Sequence, residues 1–366
     1  MFKDSSSTNW STVLIIGNGF DLNLGLSSSF SSFFRKEILD ADGLFEKDEN
    51  NLLLYLLFLR FFYKGDPSNT FFKTIYADNP SWMDVEGFLK LLATDHSMIQ
   101  NIYKAMSFRN SVAVYPSNTD VFVLMIGSFL SKLNLPKKQY DINTIVNMLD
   151  DNLNDFELRF LSYLKNEVGN RDEHAKKQEE FVREILSVTK TYNSNISLRV
   201  INFNYTKNSL NLYNEINVHG SIDTNIVIGY DSTQKAITDE DLFVLSKDWR
   251  KSDIEFKSDL SEKYIGSIVI YGHSLGEQDY PYFFDIFDRC LFLDDKCDVK
   301  LYLCYSVWEN SRDCEKALER YRMNVTKMLN SYERFKNPGI GRNTIITKLK
   351  MNNRLQFVEI KKDSNK

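Results

Sequence analysis

Two glycines, an asparagine and an aspartate stand close together in IIGNGFD, residues 15–21, where a run of apolar residues ends. Glycine has no Cβ, so Gly17 and Gly19 allow the backbone to turn tightly and to approach a ligand closely. A helix that begins here offers unpaired N–H groups and a partial positive charge, which favour a phosphate. We therefore predict a nucleotide-binding loop formed by Gly17, Asn18, Gly19 and Phe20.

Asp21, in the first turn of that helix, has two alternative roles. It caps the helix, or it takes part in chemistry, because a carboxylate here would repel a phosphate unless it faced a ribose or a water. The dinucleotide-binding fingerprint also requires a third glycine at position 22, where Leu22 stands, and Gly25 comes too late. The glycine pair alone is therefore also compatible with a plain turn between a strand and a helix.

A second group of polar residues follows two later strands, in INFNYT (residues 201–206) and NVHG (residues 217–220). Ligands of open α/β sheets bind at the carboxyl ends of the strands, so these residues should meet the glycine loop at one edge. A lone histidine is usually structural, but His219 is followed by Gly220 at the end of a predicted strand. We predict that the side chains of Asn204 and His219 lie at this edge, with Tyr205 and Gly220 beside the ligand.

A third group lies in YGHSLGEQDYPYF, residues 271–283, after another buried strand. Its Gly-x-Ser-x-Gly spacing is that of the nucleophile elbow of α/β-hydrolases, whose triad needs a histidine later in the chain. No histidine follows residue 273, so the esterase interpretation fails. We predict instead that this loop contributes to the wall of the ligand pocket, through Gly272, His273, Ser274 and Asp279.

The segment SWMDVEGFL, residues 81–89, supplies two further candidates, Trp82 and Glu86. Acids two residues apart point to different sides of a helix, so Asp84 and Glu86 do not form a metal site by themselves. A solvated or capping role is the alternative for both acids. The four cysteines also lack the Cys-x2-Cys spacing of zinc sites, and we predict no metal.

Short apolar runs bounded by polar or turn residues predict the strands that carry these groups. They are 11–17, 196–203, 215–218, 226–229, 267–271, 299–304 and 355–360. Apolar residues that recur at intervals of three and four predict helices between them, most clearly over 142–163 and 312–335. Strands that alternate with helices indicate an α/β fold with a parallel, doubly wound, Rossmann-like sheet. We predict an α/β domain of residues 1–39 and 193–366, with a large helical insertion, residues 40–192, after the first strand.

Composition excludes several classes of protein. A chain of 366 residues with 43% hydrophobic and 26% charged residues is typical of a globular protein, and a net charge of −5 disfavours nucleic acid as a partner. The apolar run at residues 52–59 is far shorter than the ~20 residues of a membrane span. It predicts a core helix covered by other helices or by a second copy in a homo-oligomer. The polar N-terminal residues resemble no secretory signal, so we expect a cytoplasmic protein without membrane contact.

Taken together, the segments IIGNGFDLNLGL, WMDVE, FNYT, VHG and IYGHSLGEQDYPYF resemble the bacteriophage abortive-infection AbiH family. The order and approximate spacing match, and the resemblance runs from Val13 to about Val307. It implies a bacterial, cytoplasmic defence protein that stops phage propagation at the cost of the host cell. The family name describes an outcome and leaves the reaction and the phage-derived or host trigger open.

A second resemblance concerns mechanism. A glycine-rich loop after the first strand, an Asn after a later strand and then a His-Gly pair is similar to the layout of sirtuin-like domains, including those that hydrolyse NAD in phage defence. The resemblance implies that Gly17 to Gly19 hold the phosphates, that Asn204 positions a water or the ribose, and that His219 is the general base. Sirtuin-like loops usually read Gly-Ala-Gly-x-Ser, whereas Asn18 and Asp21 stand at the Ala and Ser places, and Thr206 stands where an Asp is usual.

These observations leave three hypotheses. The first is a hydrolase of NAD or a related nucleotide that works with Asp21, Asn204 and His219. The second is a non-enzymatic nucleotide sensor whose helical insertion binds a partner. The third is a nuclease in which Asp21, Glu86 and Asp279 meet around a metal ion; the acidic balance and the lack of an evident carboxylate cluster disfavour it.

Overall fold

Most of the predicted strands pair into one parallel sheet in the computed structural model. They are β1 (Ser11–Ile16), β2 (Leu198–Asn202), β3 (Asn214–Asn217), β4 (Ile265–Tyr271), β5 (Lys300–Tyr305) and β6 (Leu355–Glu359). Their order is β3-β2-β1-β4-β5-β6, and every neighbouring pair is parallel. This order reverses direction between β1 and β4, as it does in doubly wound dinucleotide-binding folds. The predicted Rossmann-like fold class is therefore confirmed.

The structure describes residues 11–63, 84–109, 121–133, 141–169, 171–191, 197–207, 214–232, 240–250, 265–290, 292, 298–306, 311–337 and 344–361. The helices of this part of the chain are α1 (Asn18–Asn23), α2 (Phe30–Phe33), α3 (Leu52–Phe61), α4 (Val85–Thr94), α5 (His96–Arg109), α6 (Val121–Lys132), α7 (Ile142–Val168), α8 (Arg171–Val188), α9 (Lys247–Arg250), α10 (Tyr280–Arg289), α11 (Ser311–Lys336) and α12 (Thr344–Met351).

The chain forms two compact units. The first consists of Met1–Leu26, Lys165–Asn225 and Phe256–Lys366 and contains the sheet with α1, α8, α10, α11 and α12. The second consists of Ser27–Leu164 and Ile226–Glu255 and contains α2 to α6, most of α7, and α9.

The central strand β1 is buried on both of its faces. Side chains alternate along a strand, so Val13 and Ile15 pack in the core that includes α10 and α11, whereas Leu14 and Ile16 pack against Val182 of α8. A strand covered on both faces needs an unbroken apolar sequence, and this explains why the run is not alternating.

In the second unit, the Leu-rich segment forms α3 and lies in the core. Asn51 caps its N-terminus, since the Asn51 Oδ1 accepts a hydrogen bond from the Leu54 N–H at 2.9 Å. The Nδ2 of the same Asn51 donates to the Asn152 carbonyl and to the Asp155 carboxylate, which ties α3 to α7. The predicted core helix is confirmed. Among the described residues, no helix combines the length and the hydrophobicity that a membrane span requires.

The strand predicted at residues 226–229 is wrong, because the structure has no sheet strand there. The Ile228 N–H donates instead to the buried Glu157 carboxylate at 2.7 Å, and the other oxygen of Glu157 binds Arg250 at 2.7 Å. The Tyr230 backbone pairs with residues 245–247. The Glu157 carboxylate thus accepts a hydrogen bond from a backbone N–H that the sequence pattern assigned to a β-sheet.

The loops that follow β1 and β4 meet backbone to backbone. The Gly19 N–H donates to the Gly272 carbonyl at 2.7 Å, and the Gly17 N–H donates to the Tyr271 carbonyl at 3.1 Å. A Cβ on Gly272 would lie 2.4 Å from the Phe20 nitrogen, and the φ of Gly272 is +69°, in the left-handed region. Glycine is therefore required here by close packing and by backbone conformation together.

Gly272→Ala should lower the free energy of unfolding by at least about 2 kcal/mol, because it adds a left-handed alanine and a backbone clash. Gly276→Ala is the matched control in the same loop. Gly276 has φ −64°, and the nearest atom to an added Cβ is 3.8 Å away, so this change should alter stability by less than about 0.5 kcal/mol. Urea unfolding followed by circular dichroism measures both. Equal losses would show that the contact between the loops is not required.

Candidate functional site

The predicted site residues of the first unit follow the carboxyl ends of its strands. Gly17 to Asp21 follow β1, Asn204 and Tyr205 follow β2, His219 follows β3, and the residues from Gly272 to Asp279 follow β4. The parallel pairing places these four ends on one edge of the sheet. Side-chain bonds then join Asp21 to the β2 loop and His219 to the β4 loop.

Asp21 lies in α1, is 1% exposed, and does not cap the helix. Its Oδ2 accepts a hydrogen bond from the Thr206 hydroxyl at 2.5 Å, while its Oδ1 has no partner among the described residues. Burial raises the pKa of Asp21 to about 7; the Glu215 charge adds to this rise, and the Thr206 hydrogen bond opposes it. A carboxyl group that titrates near neutral pH can serve as an acid or as a carboxylate at the same site.

Asn202, which the sequence analysis did not select, fixes the loop after β2. Its Nδ2 lies within 3.0 Å of the Thr206 carbonyl, the Glu215 Oε1 and the Asn217 Oδ1. Its Oδ1 accepts from the Asn204 N–H at 2.8 Å. The signal for this role is an asparagine at the end of a wholly buried strand, where a polar side chain must find hydrogen-bond partners.

Asn204 is 4% exposed, and neither its Oδ1 nor its Nδ2 has a partner among the described residues. A buried amide without partners costs free energy, so its presence calls for a function. Together with Asp21 Oδ1, it provides one donor group and two acceptors for a polar ligand. A ribose ring, whose hydroxyls both donate and accept, fits this set.

Asp279 binds both histidines of the edge. Its Oδ1 lies 3.2 Å from the His219 Nε2, and its Oδ2 lies 3.4 Å from the His273 Nε2. The His273 Nδ1 accepts from the Leu275 N–H at 2.9 Å, so the proton of neutral His273 is on Nε2 and points to Asp279. The other oxygen of this carboxylate can accept from the His219 Nε2 in the same way, which places the proton of a neutral His219 on Nε2.

Aromatic rings surround His219. The centroids of Phe203, Tyr282 and Tyr205 lie 5.6, 5.8 and 6.1 Å from that of the imidazole. His219 is buried, and its edge-to-face neighbours fix the plane of its ring. The arrangement holds the imidazole in one orientation, as a positioned base requires.

The glycine loop offers fewer N–H groups than its sequence suggests. The N–H groups of Gly17, Gly19 and Phe20 all donate to backbone carbonyls, those of Tyr271, Gly272 and Gly17. A phosphate at this loop would have to compete with those bonds or use other donors. The ligand role predicted for Gly17, Asn18, Gly19 and Phe20 stays a prediction.

The remaining candidates form none of the side-chain bonds described above among the residues that the structure describes. Ser274 is exposed, and Trp82 lies outside the described residues. Glu86 belongs to the second unit, where its Oε2 binds the Nζ of the buried Lys247 at 2.7 Å. Gly220 has a φ of +78°, which a glycine adopts without strain. Within the described ranges, no group of three or more His, Cys, Asp or Glu is arranged to hold a metal ion.

A family model described as "Bacteriophage abortive infection AbiH" matches residues 13–299 of the chain. The match begins in β1 and ends just before β5, so it includes every residue of the edge described above. Comparison with curated proteins gave no match, and comparison with solved structures gave none either.

Asp21→Asn should stabilise the protein at pH 8 and change its stability little at pH 4. The unfolded carboxyl loses its proton near pH 3.8 and the folded one near pH 7, so the folded state holds more protons between these values. Folding stability therefore falls as pH rises from about 4 to about 7, and the loss remains above pH 7. Asn keeps an oxygen for Thr206 and carries no charge, so the gain at pH 8 is of the order of 4 kcal/mol at most.

Urea unfolding at pH 4, 6 and 8 tests this expectation. Asp298→Asn, which removes an exposed carboxylate of the same unit, is the control. If the two variants have the same pH profile of stability, the burial of Asp21 does not govern the titration.

Proposed function

The chain belongs to the bacteriophage abortive-infection AbiH family, and from that premise we propose that it hydrolyses the N-glycosidic bond of a nucleotide, with NAD as the first substrate to test. Membership of the family implies a role in phage abortive-infection defence. The observation that carries the proposal is the buried set of unpartnered polar atoms, Asp21 Oδ1 and both amide atoms of Asn204, at the strand edge that also holds His219.

Asn204 has the hydrogen-bonding capacity that a ribose requires. Its Nδ2 donates to one hydroxyl oxygen, and its Oδ1 accepts from a second hydroxyl. Because the amide is buried, these bonds replace no strong bonds to water, and most of their strength contributes to binding and orientation. Asn202 holds the Asn204 backbone in place, so the amide is positioned before the ligand arrives.

His219 is the proposed general base. The bond between ribose C1′ and the pyridinium nitrogen breaks, and its electron pair stays on the nitrogen, so that nicotinamide leaves as a neutral molecule. A water oxygen forms the new bond to C1′, and a proton of that water passes to the His219 Nδ1. Asp279 accepts from Nε2 and stabilises the imidazolium that forms. The products are ADP-ribose, nicotinamide and one proton.

Asp21 supplies charge to the reacting ribose. Positive charge develops on the ring as the glycosidic bond breaks, and a nearby carboxylate stabilises it. The pKa of Asp21, about 7 in the unliganded chain, falls when a cation binds beside it, so a pyridinium substrate favours the ionised form. Thr206 donates to the other oxygen and holds the carboxyl group in place.

A second candidate function is a nucleotide sensor without turnover. The burial of His219 beneath Phe203 and Tyr282 favours it, because a base that water does not reach cannot activate water. In that case the same edge binds a nucleotide, and binding changes a surface that contacts a partner. The proposed homo-oligomer contact of the helical part of the chain is one such surface.

His219→Ala and Asp279→Asn should each lower kcat for nicotinamide release from NAD about 100-fold or more. The first removes the base, and the second keeps the shape of Asp279 but loses the charge that stabilises the imidazolium. Asn204→Ala should raise KM and lower kcat together, because it removes contacts to the ribose. Released nicotinamide is measured by chromatography, with and without lysate of phage-infected cells.

Asp298→Asn is the control and should retain full activity. Turnover that survives the His219 change would remove His219 as the base. Binding of NAD without nicotinamide release in any condition would favour the sensor. No binding and no release would reject NAD as the ligand.

A further inference from the structure

Helix α8 carries two buried polar side chains on its otherwise apolar face. His174 and Gln178 precede Phe181, Val182 and Ile185 at helical spacing, so all five lie on one stripe. Gln178 is 0% exposed and His174 is 7% exposed. Neither atom of the Gln178 amide, nor the His174 Nε2, has a partner in the part of the chain that the structure describes.

The position of this stripe relative to the sheet follows from its neighbours. The Phe181 ring lies 5.0 Å from that of Tyr271, the last residue of β4, and 5.3 Å from that of Phe20 in α1. A helix that crosses over between parallel strands runs antiparallel to them, so residues before Phe181 extend beyond the carboxyl ends. Gln178 is one turn and His174 two turns beyond Phe181, on the side of the sheet that faces α8.

Asn23 is a third unpartnered group on this side. It stands three residues after Phe20, on the same side of α1, and its Oδ1 has no partner among the described residues. Phe20 and Phe181 are in contact, so Asn23 and Gln178 each stand one turn from a member of the same aromatic pair. Asp21, the proposed charge-bearing residue, lies between Phe20 and Asn23 in the same short helix.

The chemistry of these groups differs from that of the ribose site. A glutamine amide presents a donor and an acceptor side by side in one plane, and the same pattern occurs on a carboxamide and on the edge of a nucleobase. Phe181 stands one turn from Gln178 on the same stripe, and an aromatic side chain suits a flat ring. Burial lowers the pKa of His174, so its imidazole is neutral and can also bond an uncharged ring.

We propose that Gln178 and His174 form a base-recognition subsite, in which the Gln178 amide pairs with the donor-acceptor edge of the ligand's base. This inference rests on the proposed function only in taking the ligand of the edge to be a nucleotide. The subsite selects which nucleotide binds, while Asn204 and Asp21 hold its ribose. The nicotinamide carboxamide and the adenine edge share the required pattern, and the experiment separates them.

Gln178→Met is the test variant, since methionine has a similar volume and no hydrogen-bonding amide. Calorimetric titration of the full chain with nicotinamide mononucleotide, with AMP and with ADP-ribose compares the two sources of the edge. If the amide pairs with the carboxamide, the variant binds the mononucleotide at least 10-fold more weakly and binds the adenine ligands as the wild type does. If it pairs with adenine, the pattern reverses.

Thermal unfolding gives a second readout that does not depend on turnover. Removing a buried, unpartnered amide should raise the Tm of the ligand-free chain by about 2 °C or more. His174→Leu should act in the same direction, and it covers the case that Gln178→Met does not fold. Glu180→Gln, on the exposed face of α8, is the matched control; it should leave the affinities unchanged and shift Tm by less than about 1 °C.

Equal affinities of Gln178→Met and wild type for all three probes would overturn the proposal, as would a wild type that binds none of them. The failure of the proposed function is a separate result. If the wild type binds a probe through Gln178 but releases no nicotinamide from NAD, the proposed hydrolase function is rejected and the subsite proposal stands.

Discussion

The backbone contact between the loops after β1 and β4 is the constraint on which the edge of the sheet depends. In doubly wound sheets the chain leaves opposite faces at this point, and a crevice opens where ligands commonly bind. Here the Gly19 N–H and the Gly272 carbonyl join across it at 2.7 Å, and no side chain fits between them. The Gly17 and Gly19 N–H groups, which a phosphate would need, instead join the chain after β1 to the end of β4. Among the described residues of the first unit, unpartnered buried polar atoms of this region lie on α1, after β2 and on α8, and the glycine loop itself contributes none.

The burial of polar groups also determines the structure of this edge, and its effect depends on whether the groups have hydrogen-bond partners. Where the groups find partners, as Asn202 does with three oxygens, they fix the loop geometry. Where they find none, as with Asn204 and Gln178, they lower the stability of the unliganded chain. A sequence selected for stability alone would replace those amides with apolar residues. We therefore assign ligand contact to Asn204 and Gln178 in the proposed site, and support of the loop to Asn202.

The sequence predicted the sheet and the edge because both depend on local patterns. Short apolar runs followed by polar or glycine residues marked β1, β2 and β4, and parallel pairing placed Asp21, Asn204, His219 and Asp279 on one edge. Contacts between distant segments were not predictable in the same way. In the apolar run 226–229, the Ile228 N–H donates to the Glu157 carboxylate, about 70 positions earlier. Gln178 interrupts an apolar helical stripe, and the adjacent sequence does not reveal that its amide lacks a hydrogen-bond partner in the described part of the folded chain. The N–H partners of Gly17 and Gly19 were not predictable either, because they are the carbonyls of Tyr271 and Gly272, about 250 positions later.

The ionisation of Asp21 links the two halves of the proposed site. A carboxyl group with a pKa near 7 is partly protonated in the unliganded chain, and a ligand that prefers the carboxylate must first displace that proton. A cationic ring provides the free energy for this step, whereas a neutral product does not. The same buried carboxyl thus favours a pyridinium nucleotide over the neutral nicotinamide and over ADP-ribose once the bond has broken. In the proposed site, selectivity for charge arises from burial at Asp21, and selectivity for the hydrogen-bonding edge of the base arises from Gln178. The two residues act on different parts of one ligand, so each can change without loss of the other's contribution.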